Sequence, residues 1–91
     1  MTPLSVQRVR VLLAVRELEP DGYGEALRTY LMARGAGIAR AQLYRQLDAL
    51  KEAGYVRVAR RDGPRQYLAT TAAGRAALHR WVTVLCRLAN V

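Results

Sequence analysis

Residues 39–71 read ARAQLYRQLDALKEAGYVRVARRDGPRQYLATT. In the first half, Leu43, Leu47 and Leu50 recur at i, i+4 and i+7, one apolar stripe of a helix, and Gly54 stands where a helix ends on glycine. In the second half, YVRVA and QYLATT alternate and are rich in valine, tyrosine and threonine, with Asp62-Gly63-Pro64 between them. That pattern predicts two short strands joined by a tight turn. Arg60, Arg61 and Arg65 surround the tip.

Upstream of this run the sequence gives two more helices. Thr2-Pro3 has the form of an N-cap followed by proline at the first helical position. Leu4, Val11, Val15 and Leu18 then share one face up to Glu19-Pro20, and Val9, Leu12 and Leu13 make a second apolar face. Asp21 is the expected cap of the next helix, in which Tyr23, Leu27, Tyr30 and Leu31 repeat at spacings of three and four until Gly35-Ala36-Gly37. Downstream, one helix is expected over 72–90. Its stripe of Leu78, Trp81, Val82, Leu85 and Ala89 is widened by Ala77, Val84 and Val91 beyond the roughly 100° that packing on one side requires.

Helix, helix, turn, helix and hairpin in that order predict a mainly α chain with a small β-hairpin, a winged helix-turn-helix in one domain over residues 1–91. The chain has 91 residues, enough for one modest core. A single cysteine, Cys86, excludes an internal disulfide framework, no apolar run has the length of a membrane span, and the N-terminus lacks the apolar stretch of a signal peptide. These features predict a soluble intracellular domain.

Net charge is +8, a statement about attraction to polyanions rather than about fold. The excess is uneven: residues 54–91 hold seven arginines against the single acid Asp62. On the helix of residues 39–53, Ala41, Arg45 and Glu52 lie opposite the leucine stripe, with Gln42 and Ala49 to one side and Tyr44 and Asp48 to the other. Small and hydrogen-bonding side chains at the N-terminal half suit entry into a DNA major groove, where Arg and Gln read base edges. The same composition also suits an ordinary solvated face, because Arg and Gln are good helix formers. The hairpin favours the first reading, since three arginines on a wing of residues 57–68 are suited to the flanking phosphates or minor groove. A solvated, charged sheet edge is the plainer use of the same residues.

DGYGEAL, LYRQLDALKEAGYV and RQYLATTAAGRAAL together resemble the PadR-like transcriptional regulators, from about Val9 to Trp81. The resemblance rests on Gly22-Tyr23, on Leu43-Tyr44 with Leu47, Leu50 and Gly54, and on Arg65, Tyr67, Thr71, Gly74 and Arg75. It implies a sequence-specific, double-stranded DNA-binding regulator, in the family more often a repressor, working in the bacterial cytoplasm at the nucleoid. The expected DNA-binding residues are Arg40, Ala41, Gln42, Tyr44, Arg45, Arg60, Arg61 and Arg65. The chain departs from the family in three places. Ala39 replaces the usual Ser or Thr cap, which costs about 1 kcal/mol if the freed N–H finds no other acceptor. Arg45 stands where many members have proline, and Leu68 where a second tyrosine is common. One terminal helix, rather than a multi-helix domain, resembles the short subfamily.

The wide apolar arc of the last helix and the second face of the first predict a homodimer, through Val9, Leu12, Leu13, Leu78, Trp81, Val84, Leu85 and Leu88. Trp81 is also of the type that stacks on a flat aromatic effector, with simple core packing the alternative. An enzyme is not expected. His79 and Cys86 are each the only residue of their kind, too few for a zinc site or a catalytic triad, and no glycine-rich phosphate loop or isolated carboxylate pair is present. No cofactor or metal is implied. The rival reading is a basic winged-helix module that binds RNA or another protein, which monomeric behaviour would favour.

Overall fold

The computed structural model describes residues 5–89, with side chains to Thr83. Its elements are α1 (Val6–Leu18), α2 (Gly24–Ala33), α3 (Arg40–Glu52), β1 (Val56–Asp62), β2 (Arg65–Thr70) and α4 (Ala72–Ala89). The order is that of a winged helix-turn-helix with a fourth, terminal helix.

α1 starts where Ser5 Oγ accepts the Arg8 backbone N–H at 3.1 Å, a side-chain cap for one of the first turn's orphan donors. The Thr2-Pro3 cap and Leu4 lie outside the described residues. α1 is the central helix, packed against α2, α3, α4 and β2. Val11, Leu12, Ala14 and Val15 are therefore all buried, each of the larger ones contributing about 1.5–3 kcal/mol through burial. Here the expected interface needs correction. Leu12 is 0% exposed and Leu78 8%, so both are covered by their own chain and leave nothing for a partner.

After α1 the chain turns at Glu19. This carboxylate accepts the Thr70 backbone N–H at 2.8 Å, the Thr70 hydroxyl and an Arg16 N–H, and so pins the root of β2 to the end of α1. Burial pushes the Glu19 pKa up, but the bonds from Arg16 and Thr70 outweigh it and hold the carboxyl below its ordinary range. Asp21 does not cap α2. The N-cap position belongs to Tyr23, which makes no side-chain cap bond, while Asp21 lies 3.6 Å from the Arg60 guanidinium. Between them, Gly22 accepts the Leu68 N–H at 2.8 Å and forms an isolated bridge alongside the hairpin.

α3 buries Leu43, Leu47, Gln46 and Leu50, and Ala39 at its N-cap supplies no side-chain acceptor. The strands pair antiparallel from Val56↔Thr70 to Asp62↔Arg65, with an irregularity between Val58 and Arg60 that leaves Ala59 unpaired. Asp62 and Arg65 close a two-residue turn on Gly63-Pro64. Gly63 has φ 59°, the left-handed conformation that the first position of a tight hairpin turn demands and that glycine adopts without strain.

α4 begins on Thr71, whose Oγ accepts the Gly74 N–H at 3.1 Å and whose hydroxyl donates to the Gly54 carbonyl. The first turn of α4 runs so close to Tyr55 that a Cβ on Gly74 would overlap the Tyr55 carbonyl oxygen. The Thr-x-x-Gly spacing thus has a mechanical reason: threonine caps the helix and ties it to the end of α3, and glycine lets it dock. On α4, Ala77 and Leu78 enter the core, Trp81 is half-buried and Val82 is exposed. The side chains of Val84, Leu85 and Leu88, expected at the dimer interface, lie outside the described residues. Among the described residues, no helix is long and apolar enough to cross a membrane.

Candidate nucleic-acid interface

With the leucines of α3 turned inward, Arg40, Ala41, Tyr44 and Arg45 are exposed and Gln42 is half-buried. Arg40 and Tyr44 are tied to the start of α2. The Arg40 Nε lies 3.8 Å from Glu25, its Cζ 5.8 Å from the Tyr44 ring centroid, and the Tyr44 hydroxyl lies over Gly24.

Gln42 and Arg45 are tied instead to α1. Arg45 donates to Gln42 Oε1 at 3.1 Å, and Gln42 Nε2 donates to Gln7 Oε1 at 3.0 Å. The buried Gln46 also donates to Gln7 Oε1, at 3.1 Å, and accepts from Arg8 Nε at 2.8 Å. Arginine 45 therefore leaves the helix surface in a set direction. Gln7 and Arg8 were not foreseen from the sequence, where nothing in the polar N-terminal turn of α1 indicates which side chains it will meet.

The wing is held differently. Its three arginines do not form one cluster. The Arg60 Cζ lies 4.0 Å from the centroid of Tyr67 and the Arg65 Cζ 4.6 Å from that of Tyr23, and the two rings meet edge to face at 5.4 Å. Stacked in this way, a guanidinium keeps its in-plane N–H groups free. Arg61, paired across the hairpin with Gln66, is exposed and makes no ion pair or side-chain hydrogen bond among the described residues. Gln66 in turn accepts from Lys51 at 3.1 Å, so the wing is fastened to α3 as well as to α2.

Between α3, the start of α2 and the wing lies a cleft of about 540 Å³, bordered by Tyr23, Arg40, Tyr44, Lys51, Arg65 and Gln66 among others. It brings the exposed face of α3 and the wing tip to one surface, with cations from both. Among the described residues, no three His, Cys, Asp or Glu side chains converge as a metal site would need.

Comparison with known proteins gives the same architecture. The sequence model of the Transcriptional regulator PadR-like family matches residues 11–80. No curated protein matches the sequence. Among solved structures, FabT of Streptococcus pneumoniae in complex with DNA superposes with a TM-score of 0.74 at 17% identity, over 96% of this chain and 58% of that one. A PadR family transcriptional regulator from Eggerthella lenta DSM 2243 gives 0.75 at 26% identity, over 93% and 80%. PadR of Bacillus subtilis in complex with operator DNA gives 0.70 at 20% identity, over 88% of this chain and 48% of that one.

Proposed function

Because the chain belongs to the PadR-like family of transcriptional regulators, we propose that it binds double-stranded DNA sequence-specifically and represses transcription. In this reading α3 lies in the major groove, Gln42 and Arg45 face base edges, and Arg61 and Arg65 of the wing meet phosphates. The observation that carries the reading is the shared surface of α3 and wing. There α3 presents Arg40, Tyr44 and Lys51 and the neighbouring hairpin presents Arg65, with Gln42 and Arg45 on the adjoining side of the same helix. Two proteins of the same fold were solved on DNA. The work of such a protein is in the bacterial cytoplasm, at the nucleoid.

The chain acts as a homodimer in this proposal. Leu13 is 41% exposed and Val82 53%, on the two helices expected to meet a partner, and apolar surface of that kind is covered by association. Two-fold symmetry then asks for half-sites about 10 bp apart, or a multiple of that. A flat aromatic effector beside the half-buried Trp81 belongs to the same proposal, and quenching of this single tryptophan by candidate compounds tests it.

The deciding experiment selects duplexes from a randomised 30-bp library and measures affinity for the winners at several salt concentrations. The expected result is an enriched pseudo-palindrome and a log–log slope near about −6 to −10, from the phosphates met by both subunits. A slope near zero, or no enriched sequence, defeats the reading. Sedimentation should show a dimer that Leu13→Asp with Val82→Asp disrupts. A monomer at micromolar concentration would favour the RNA- or protein-binding module instead.

A further inference from the structure

We infer that Gln7, on α1, is a positioning residue that holds Gln42, and through it Arg45, in the orientation offered to a base pair; the inference rests on the DNA reading of α3.

The geometry fixes the chemistry of every atom in the chain of bonds. Arg8 and Arg45 stand at its two ends, and a guanidinium can only donate. At one end Arg8 Nε donates to Gln46, which must therefore present Oε1 to it and Nε2 to Gln7. At the other end Arg45 donates to Gln42, which must likewise present Oε1 to Arg45 and Nε2 to Gln7. Both amides thus arrive at Gln7 as donors. Residue 7 has to be an acceptor, and the Gln7 carbonyl oxygen takes both bonds, at 3.0 and 3.1 Å. The amide orientations of three glutamines, otherwise interchangeable by a flip, follow from the two arginines.

The consequence falls on recognition. With one Nε2 hydrogen given to Gln7 and one Oε1 lone pair given to Arg45, Gln42 keeps one donor and one acceptor, and Arg45 keeps its other N–H groups. Residues 42 and 45 then act as one reading unit with a fixed polarity. Remove the acceptor at position 7 and the exposed Arg45 alone is left to orient the Gln42 amide, so the pair loses one of its two bonds and its fixed direction at the groove. Gln7 is exposed, in the first turn of α1 on the face that meets α3, so its replacement removes no buried apolar side chain.

The test compares Gln7→Leu, which has no acceptor, with Gln7→Glu, which keeps one. The side-chain amide resonances of Gln42 and Gln46 in the free protein report the bonds without any DNA. Duplexes enriched by the wild-type chain from the 30-bp library, and their single-base variants, report discrimination. Gln7→Leu should shift both amide resonances and lower discrimination by about 3- to 10-fold at the base pairs that Arg45→Ala also affects, the worth of one neutral hydrogen bond. It should leave affinity for random DNA near wild type and lower the melting temperature modestly, because the buried Gln46 Nε2 loses its acceptor, and Gln7→Glu should restore discrimination, resonances and stability. Unmoved Gln42 resonances in Gln7→Leu overturn the inference whatever the DNA does. Shifted resonances with discrimination intact, or loss that Gln7→Glu does not restore, also overturn it while the DNA reading stands. A wild-type chain that enriches no sequence fails the DNA reading itself.

Discussion

Arg45 on α3 and Arg65 on the wing are both exposed guanidiniums, yet Arg45 is held by a hydrogen bond in its plane and Arg65 by a ring against its face. An in-plane bond to Gln42 uses one N–H and aims the rest. A ring under the plane uses none and leaves the in-plane direction unset. Base edges present fixed donors and acceptors and need aimed partners, whereas a phosphate offers acceptors in many directions. The two kinds of support thus match two tasks, and each part of the contrast can be broken separately.

The largest effect should come from removing the wing's aromatic support. Tyr67 is 8% exposed, meets Tyr23 edge to face and carries Arg60. Tyr67→Ala should lower stability by about 3–5 kcal/mol in urea unfolding, the usual result of truncating a buried aromatic ring, and weaken binding to every DNA. Tyr67→Phe keeps the ring and should unfold close to wild type. An alanine variant as stable as wild type would mean that the rings do not hold the wing.

Next comes the aimed arginine. Arg45→Ala should cost about 1–3 kcal/mol on the selected duplex and far less on random DNA. Equal losses on both would place Arg45 on phosphate, and the distinction between the two regions would be gone.

The core scaffold of this contrast was legible in the sequence and its fine positioning was not. Leu43, Leu47 and Leu50 are a periodic stripe because they are buried together, and the turn at Gly63 is glycine because its φ is positive; both constraints are local, so they mark the sequence. The two apolar faces of α1 were legible as apolar but not as to what covers them. Leu12 is enclosed because α2, α3, α4 and β2 surround α1, an arrangement no local spacing contains. Asp21 has the chemistry of a cap, but α2 begins only after Tyr23, and Asp21 lies instead near Arg60, thirty-nine positions on. The exposed positions of α3 follow from its period, whereas the tie of Gln42 to Gln7 spans 35 residues of sequence. Long-range polar partners leave no periodic trace.

Acid should loosen one region and spare the other. Glu19 pins the root of the wing through Thr70, and its carboxyl sits below its ordinary value of 4.5. A group whose pKa is lowered by folding stabilises the folded state above its unfolded pKa, and that contribution is lost as pH falls through the folded value. Stability should therefore be flat from neutral pH to about 5 and decline below 4.5. Glu19→Gln should remove part of that decline and cost about 1 kcal/mol at neutral pH, the worth of a weakened bond. Hydrogen exchange should show the β2 root opening before α3, which the leucine core holds. A stability profile identical in Glu19→Gln would leave the wing root without its anchor.

The smallest effect separates the wing arginines from one another. Arg60 lies on Tyr67 and near Asp21, while Arg61, its neighbour on the strand, has neither kind of partner among the described residues. Arg60→Ala should therefore lower stability by about 0.5–1 kcal/mol, the range of an exposed cation–π contact. Arg61→Ala should leave stability unchanged. On DNA the order reverses. Arg61 has its whole guanidinium available, so its loss should weaken selected and random duplexes alike and lower the salt slope by roughly one per subunit. If Arg61→Ala leaves the slope unchanged while Arg60→Ala flattens it, the stacked arginine is the one on phosphate. Stacking would then prepare a cation for DNA, and freedom from partners would mark one that DNA does not reach.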